Sequence, residues 1–452
     1  MSFSPDHAIG FRFTGRDYEP TTGTARFGFT LEMAGERKDI PFVETLQFVD
    51  APPVSDGGRR SALARCLKYL HLALGVSYYK AAIPPRITVE GEPLPEDVAR
   101  FFDKLYWHGL GEFSYVNRVD LTDRIRFPSD ASARDPSPAF SPSAGVLTPI
   151  GGGKDSLVSI ELLRAAGVDF STFYMGDSAL IDEMSASLGV PRVRVRRRIS
   201  PALFELNRQG ALNGHVPISA IIAFVALTAA VIHGFDHIVL SNERSANIPN
   251  TEYLGRAINH QYSKSLEFEE DFSRLTAAHV SPDIHYFSLL RGFSELKIAS
   301  LFSRHEQHHP HFGSCNRGFR IHEPKSGSRW CNDCPKCRFV FLSLAPFMDK
   351  SSLVAIFGKN LLDEASQFAG YRELAGAEGF KPFECVGDVN ESRAALYLIA
   401  DKPEWRDDRV VRWFNERVRP EWQTPENAVA AEMAFSDRHR IPEPFLSIVR
   451  EA

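Results

Sequence analysis

The chain has 452 residues, of which 43% are hydrophobic and 24% charged, and its formal net charge is −5. This length allows two or three domains with a sizeable core, and the composition is that of a globular protein rather than a disordered or fibrous one. The negative charge argues against a general nucleic-acid binder, so no nucleic-acid partner is expected. The first residues lack a basic segment followed by an apolar one, so we expect no signal peptide and a cytoplasmic protein.

Residues 1–127 are predicted to form an α+β domain. Apolar residues alternate in two short segments separated by a turn-rich stretch, and two later segments show helical spacing. The predicted elements are strands over 11–14 and 25–31 and helices over 59–80 and 95–107. Residues 128–145 are rich in proline, serine and alanine, which indicates a linker.

Residues 146–346 alternate between strand and helix patterns. The predicted elements are strands ahead of residue 151 and over 170–175, 192–198 and 237–241, and helices over 156–166, 181–188 and 216–232. This order predicts an α/β fold with a doubly wound parallel sheet, in which ligands bind at the carboxyl ends of the strands. Residues 347–452 are predicted to be mainly helical.

The segment from Val216 to Ile232 is uncharged and apolar, which suits either a membrane span or a buried helix. It is slightly short for a comfortable span, is rich in alanine and lies between His215 and His233. We therefore predict a buried helix and no membrane partner.

Three glycines separate the first strand of this alternating region from its helix. Glycine permits turn conformations and close approach of backbone N–H groups, and a helix N-terminus adds unpaired donors and a positive dipole end. The loop therefore predicts a phosphate site, although an ordinary glycine-rich turn is the alternative. It is not a Walker A loop, because aspartate follows the lysine. The predicted binding residues are Gly151, Gly152, Gly153, Lys154, Asp155 and Ser156.

Other candidate site residues lie in loops. Asn242, Glu243 and Asn247 follow the strand at 237–241, where either ligand contact or a solvated loop would explain them. His215 suits an acid–base role or a helix-capping role. Cys385 lies in a loop flanked by proline and glycine, and is either catalytic or a small packed residue. We take His215, Glu243 and Cys385 as candidate catalytic residues, and Asn242 and Asn247 as nucleotide-binding ones.

Four cysteines follow the spacing C-x15-C-x2-C-x2-C: Cys315, Cys331, Cys334 and Cys337. Four thiolates at such spacing suit tetrahedral Zn²⁺ in a closed structural site. An iron–sulfur cluster and free thiols are the alternatives, and His322 is a rival ligand. Cysteine usage of this kind is typical of a reducing compartment with a metal site rather than of a disulfide framework.

The glycine loop resembles the SGGxDS loop (PP-loop) of the N-type ATP pyrophosphatases. Gly152, Gly153, Asp155 and Ser156 match that pattern, and Gly151 stands where the family usually has serine. The resemblance implies a loop that holds the β,γ-pyrophosphate of ATP while the α-phosphorus is attacked. The cysteine quartet is similar to one in the 7-cyano-7-deazaguanine synthases.

The segments NGHVP, SNERSAN, SCNR…WCNDCPKC and KPFECVG, in that order behind the loop, resemble the MurL family of UDP-N-acetylmuramoyl-L-alanyl-L-glutamate epimerases. The resemblance implies ATP-dependent inversion of the terminal L-Glu of UDP-MurNAc-L-Ala-L-Glu through an acyl-adenylate, with release of AMP and pyrophosphate, in peptidoglycan synthesis. It further implies Mg²⁺, a structural Zn²⁺, functional coupling to the Mur ligase that adds L-Glu, and an N-terminal domain that reads the nucleotide sugar.

Two other functions remain open on the sequence. One is another adenylating enzyme with the same loop, such as a deazaguanine-type ligase or a tRNA-modifying enzyme. The second is a non-catalytic, zinc-stabilised binding protein with a degenerate loop, for which the glycine at 151 gives slight support.

Overall fold

The computed structural model describes residues 3–91, 93–317 and 329–452. Its strands are β1 (Ala8–Glu19), β2 (Thr24–Met33), β3 (Ile40–Phe48), β4 (Ile87–Val89), β5 (Val146–Pro149), β6 (Phe170–Met175), β7 (Arg192–Arg198), β8 (His237–Leu240), β9 (Thr251–Tyr253), β10 (Arg256–Ile258) and β11 (His285–Ser288). Its α-helices are α1 (Gly57–Leu74), α2 (Val76–Tyr79), α3 (Glu96–Gly109), α4 (Gly111–Asn117), α5 (Lys154–Ala165), α6 (Ala179–Ser187), α7 (Pro201–Arg208), α8 (Ile218–His233), α9 (Leu266–His279), α10 (Glu295–Phe302), α11 (Pro335–Leu344), α12 (Lys350–Phe357), α13 (Phe368–Leu374), α14 (Val389–Ile399), α15 (Arg409–Trp413), α16 (Pro425–Met433) and α17 (Glu443–Arg450).

The main sheet of the described chain has nine strands in the order β11-β8-β5-β6-β7-β3-β2-β1-β4. The five strands from β11 to β7 are parallel to their neighbours. Strands β7, β3, β2 and β1 pair antiparallel, and β4 runs parallel to β1 at the edge. The sheet is therefore mixed and mostly parallel, where the sequence predicted a parallel sheet beside a separate α+β domain.

The junction between β3 and β7 joins the N-terminal strands to the parallel strands. Glu44 on β3 is 0% exposed, and Arg197 Nε on β7 lies 2.6 Å from its carboxylate. Tyr78 on α2 donates a second hydrogen bond to this carboxylate, at 2.7 Å. A buried charge is tolerated only when it is paired and hydrogen-bonded. This ion pair therefore fixes the register in which the N-terminal strands extend the sheet.

The two faces of the sheet bury different cores, because side chains alternate along a strand. On β5, Leu147 packs into a core with α1 and α8, whereas Val146 packs into a second core with α5 and α10. The apolar segment at 216–232 is thus a buried helix, as predicted. Among the described residues, no helix has the length and apolar character needed to cross a membrane.

The remaining segments pack around this sheet. Residues 128–145, the predicted linker, contain neither a helix nor a strand. Asp135 within this segment is nevertheless buried, and its carboxylate lies 2.9 Å from Lys68 Nζ on α1. The described chain from Lys350 onward is built of helices α12 to α17, in agreement with the predicted helical region. Most of these helices contribute to the second core.

The order of the parallel strands reverses at β5. The chain adds β6 and β7 on one side of β5 and then returns to place β8 on the other side. In open α/β sheets, ligands bind outside the carboxyl ends of the strands at such a reversal. The loops that follow β5 and β8 are therefore where a ligand site is expected.

Candidate active site

The glycine loop links β5 to the N-terminus of α5. Gly152 has φ of +85°, a left-handed conformation that favours glycine. Its carbonyl accepts a hydrogen bond from Gly313 N at 2.9 Å, and Ser156 Oγ donates to Gly153 O at 3.1 Å. At Gly151, a Cβ atom would meet nothing within 4 Å. The loop is thus held in one shape, and position 151 has room for a serine.

A chain of buried ion pairs lies beneath the loop. Lys154 is 1% exposed and pairs with Asp155 and Glu295. The second carboxylate oxygen of Glu295 lies 3.3 Å from Lys336 Nζ. Removal from water would raise the pKa of Glu295, but the charges of Lys154 and Lys336 outweigh it and lower the pKa to about 2. Lys154 therefore points into the protein.

A cleft of about 340 Å³ opens at the carboxyl ends of β5 and β8. It brings the glycine loop together with residues that are distant in sequence. Its polar lining includes Gly151, Gly153, Asp155, Ser156, Ser241, Asn242, Lys264, Lys336 and Cys385. Three predicted groups therefore share one cleft: the glycine loop, Asn242 and the thiol of Cys385.

The thiol of Cys385 lies among cations. Lys264 Nζ is 3.3 Å from Sγ, and His260 Nε2 is 4.0 Å from Sγ. Desolvation alone would raise the pKa of Cys385. The charge of Lys264, with the hydrogen bond and charge of His260 and the charge of Lys336, lowers this pKa to about 6 instead. The sulfur is therefore a thiolate at neutral pH.

Glu112 on α4 lies on the far side of His260. Its carboxylate bonds to His260 Nδ1, and the same oxygen lies 3.4 Å from His215 Nδ1. Desolvation lowers the pKa of His260, but Cys385 and Glu112 together raise it to about 9. Desolvation and the neighbouring His260 hold the pKa of His215 well below its usual value. At neutral pH, the imidazolium of His260 therefore lies between two anions, and His215 is neutral.

The other predicted residues lie outside the cleft lining. His215 is behind His260, as described above. Glu243 is buried, and its carbonyl accepts a hydrogen bond from Arg291 at 2.8 Å. Asn247 accepts from the backbone of Leu266 at 2.7 Å and lines a separate cleft. Asn247 thus has a hydrogen-bonding role within the fold.

Sequence reasoning missed Glu112, His260, Lys264, Glu295 and Lys336. Glu112 and His260 stand in segments that the sequence analysis did not single out, and only the fold brings them to Cys385. Lys336 had a local signal, because it lies between two of the four clustered cysteines.

The four clustered cysteines place their sulfur atoms within 4.8 Å of one another. Cys337 Sγ lies 3.5 Å from Cys334 Sγ and 3.8 Å from Cys331 Sγ. Tetrahedral zinc with bonds of about 2.3 Å requires sulfur atoms about 3.8 Å apart, so the donor set fits zinc. His322, the rival ligand, lies outside the described residues.

Two family models match the chain, and together they cover most of it. The model described as the MurL N-terminal domain matches residues 2–289, and the model described as the MurL C-terminal domain matches residues 311–429. The chain belongs to the MurL family. The glycine loop, Glu112 and His260 lie in the first MurL domain, whereas Cys385 and the cysteine quartet lie in the second. The thiol site is therefore assembled from both.

Relatives with the family activity in their names align over nearly the whole chain. A protein of Xanthomonas oryzae pv. oryzae named UDP-N-acetyl-alpha-D-muramoyl-L-alanyl-L-glutamate epimerase is 43% identical over 455 residues, covering 100% of this chain and 99% of its own. Proteins with the same name from Micromonospora sp. and Salinispora tropica are 41% and 40% identical, covering 96% and 92% of this chain and 96% and 90% of their own.

Proposed function

We propose that this MurL-family chain is an ATP-dependent epimerase of the PP-loop superfamily, which converts the terminal L-Glu of UDP-MurNAc-L-Ala-L-Glu to D-Glu. The observation that carries the proposal is that one cleft holds both the phosphate loop and the thiolate of Cys385. The first supports activation of a carboxylate by ATP, and the second supports proton transfer at the adjacent carbon. The names of the relatives supply the substrate.

Activation by ATP solves a chemical problem of the inversion. Removing the proton beside a free carboxylate would place a second negative charge on that group. In the proposed reaction, the α-carboxylate attacks the α-phosphorus of ATP, and pyrophosphate leaves. The acyl-adenylate loses its Cα proton to a base and regains a proton on the opposite face. Water then cleaves the acyl–phosphate bond and releases AMP with the D-Glu product.

The phosphate end of the cleft is assigned to the glycine loop. Backbone N–H groups at the N-terminus of α5 would hold the β,γ-pyrophosphate, and Ser156 adds a hydroxyl. Asp155 supplies a carboxylate suited to Mg²⁺, which would offset phosphate charge when bound. Asn242, which lines the cleft after the end of β8, is assigned to the adenylate. Lys154 fixes Asp155 and Glu295 from below.

The thiol end of the cleft is assigned to proton transfer. Cys385 is the one of our three candidate catalytic residues that lines the cleft, so we assign removal of the Cα proton to its thiolate. Lys264 and Lys336 would stabilise negative charge as it develops on the carbonyl oxygen. His215 and Glu243 belong to the surroundings of this end of the cleft.

The cysteine quartet is assigned to a structural zinc ion. Four protein thiolates leave no open position for a substrate, so this site would stabilise the fold and would not take part in the reaction. It would anchor the start of α11, where Cys334 caps the helix and Lys336 points to the cleft.

The remaining parts of the proposal follow from the substrate. The product of the proposed reaction is a precursor of peptidoglycan, so we assign the protein to the cytoplasm and to peptidoglycan synthesis. A Mur ligase that adds L-Glu must supply the substrate. The N-terminal region, beyond what adenylation requires, is the proposed reader of the nucleotide sugar.

The test is an incubation in D₂O with Mg-ATP and UDP-MurNAc-L-Ala-L-Glu, followed by chiral and mass analysis of the glutamate. We expect D-Glu with a Cα deuteron and matching AMP. Asp155→Asn should abolish AMP release, whereas Cys385→Ala should form AMP without deuterium. Glu252→Gln, at an exposed position in the β9–β10 hairpin, is the control and should behave like the wild-type protein. AMP with unlabelled L-Glu would refute epimerisation and favour a ligase, and the absence of both products would favour the binding protein.

A further inference from the structure

We propose that His260 and Glu112 are positioning residues that hold Cys385 as a thiolate, so that the three side chains act as one Cys–His–Glu relay. This inference rests on the proposed function for its meaning in catalysis. The relay itself is a property of the folded chain, and it is measurable without substrate.

Geometry is the first support for the relay. Each ring nitrogen of His260 has one partner: Nε2 faces the sulfur of Cys385 at 4.0 Å, and Nδ1 bonds to Glu112. A ring held by both nitrogens has a fixed orientation and a fixed protonation state. Glu112 thus orients the imidazole ring of His260, as the carboxylate does in other nucleophile–histidine–carboxylate arrangements.

The backbone also holds the histidine and cysteine segments together. Asn250 Oδ1 accepts a hydrogen bond from His260 N at 2.9 Å, and Asn250 Nδ2 donates to Pro382 O at 2.7 Å. One side chain therefore ties the segment after β10 to the loop that carries Cys385. The separation between His260 and Cys385 is built into the fold and does not depend on a ligand.

Charge is the second support. His215 and His260 have ring centroids 4.4 Å apart and share the same Glu112 oxygen, so both cannot be protonated without repulsion. His215 stays neutral and leaves the carboxylate to His260. The charged groups around the relay are Lys264, Lys336, Lys381, Glu243 and Glu384. Because Lys264 and Lys336 remain when His260 is replaced, removal of the histidine weakens the thiolate without abolishing it.

The first test measures the thiol directly. The rate at which iodoacetamide alkylates Cys385, followed by peptide mass spectrometry across the neutral pH range, gives its apparent pKa. For the wild-type protein we expect a value near 6. His260→Asn should raise it by about one to three pH units, and Glu112→Gln should raise it in the same direction. His285→Asn, on the exposed edge strand β11, is the matched control and should leave it unchanged.

The second test separates positioning from substrate binding. In D₂O, His260→Asn should slow deuterium incorporation by about 100-fold, with the KM for ATP and the rate of AMP formation retained. The acidic limb of its pH–rate profile should move together with the alkylation pKa. Glu112→Gln changes the shape of its side chain least and carries both tests if His260→Asn does not fold.

The outcomes distinguish this inference from the proposed function. An unchanged alkylation pKa in both variants would overturn the relay, even if the wild-type protein makes D-Glu. A raised pKa together with no epimerisation by the wild-type protein would support the relay and refute the proposed reaction. Equal loss of AMP formation and deuterium incorporation would also overturn the inference, because it would place His260 in substrate binding or folding.

Discussion

Replacement of Glu295 by glutamine tests the buried ion pairs beneath the glycine loop. Glu295 begins α10 and is 1% exposed. One of its oxygens pairs with Lys154, and the other lies 3.3 Å from Lys336 Nζ. Glutamine keeps the shape of the side chain and removes the charge. Lys154 then keeps Asp155 as a carboxylate partner, and the ammonium groups of Lys154 and Lys336 face an uncharged amide in the protein interior.

The structure sets the size of the effect. Folding lowers the pKa of Glu295 from 4.5 to about 2, which corresponds to about 3 kcal/mol of unfolding free energy. Because the folded-state pKa is the lower one, this contribution is complete above about pH 4.5 and is lost as the pH falls toward 2. The range measured for breaking buried ion pairs, about 3–5 kcal/mol, agrees with it. At pH 7 we expect Glu295→Gln to lower the unfolding free energy by about 3 kcal/mol.

The assay is urea unfolding followed by tryptophan fluorescence, with Glu252→Gln as the exposed control. The slope of the unfolding free energy against urea concentration should be the same in variant and wild type, so that the change in midpoint reports stability alone. The difference in unfolding free energy between variant and wild type should shrink as the pH falls below 4.5, because the wild-type carboxylate is then protonated. A loss within about 0.5 kcal/mol at pH 7, the range of surface substitutions, would refute the reasoning.

Four further predictions concern the loop, the metal and the thiol. Gly152→Ala should raise the KM for ATP in a pyrophosphate-release assay, because a left-handed conformation costs other residues about 1–2 kcal/mol. Gly151→Ser should leave the unfolding midpoint unchanged and keep or lower that KM, since the position is open. Cys334→Ser should lose about one equivalent of zinc by elemental analysis, together with part of the helical circular dichroism signal; a full equivalent retained would contradict the assignment. The rate of deuterium incorporation should be bell-shaped: it falls below about pH 6 as Cys385 is protonated, and above about pH 9 as His260 loses its proton.

The sequence predicted four of the five parallel strands, whose signals are local, and missed β11. The segments 170–175 and 192–198 were predicted with the bounds that β6 and β7 have in the structure. Each is a short apolar-containing run between turn residues, and the glycine loop marks its own strand and helix through backbone chemistry. Such features need no information from distant parts of the chain.

Strand β3 and the relay could not be predicted in the same way. Glu44 occupies an inward-facing position of β3, which interrupts the apolar alternation, and it is acceptable there only because Arg197 of another strand pairs with it. Glu112 and His260 carry no motif, and their function depends on a contact with a loop far along the chain. Cys385 was a candidate from its loop, but its lowered pKa comes from Lys264, His260 and Lys336, which only the fold brings to it.

The order of strands in the sheet also determines which strand edges are open to another chain. A long strand with an unpaired edge offers a template for another chain. In the described residues the seven interior strands each have neighbours on both sides, and the two strands at the ends of the sheet, β11 and β4, have only four and three residues. The N-terminal strands cover the edge that β7 would otherwise expose, but β4 pairs with β1 only at Phe11–Phe13, so the outer edge of β1 beyond Phe13 is where a strand from another chain would add.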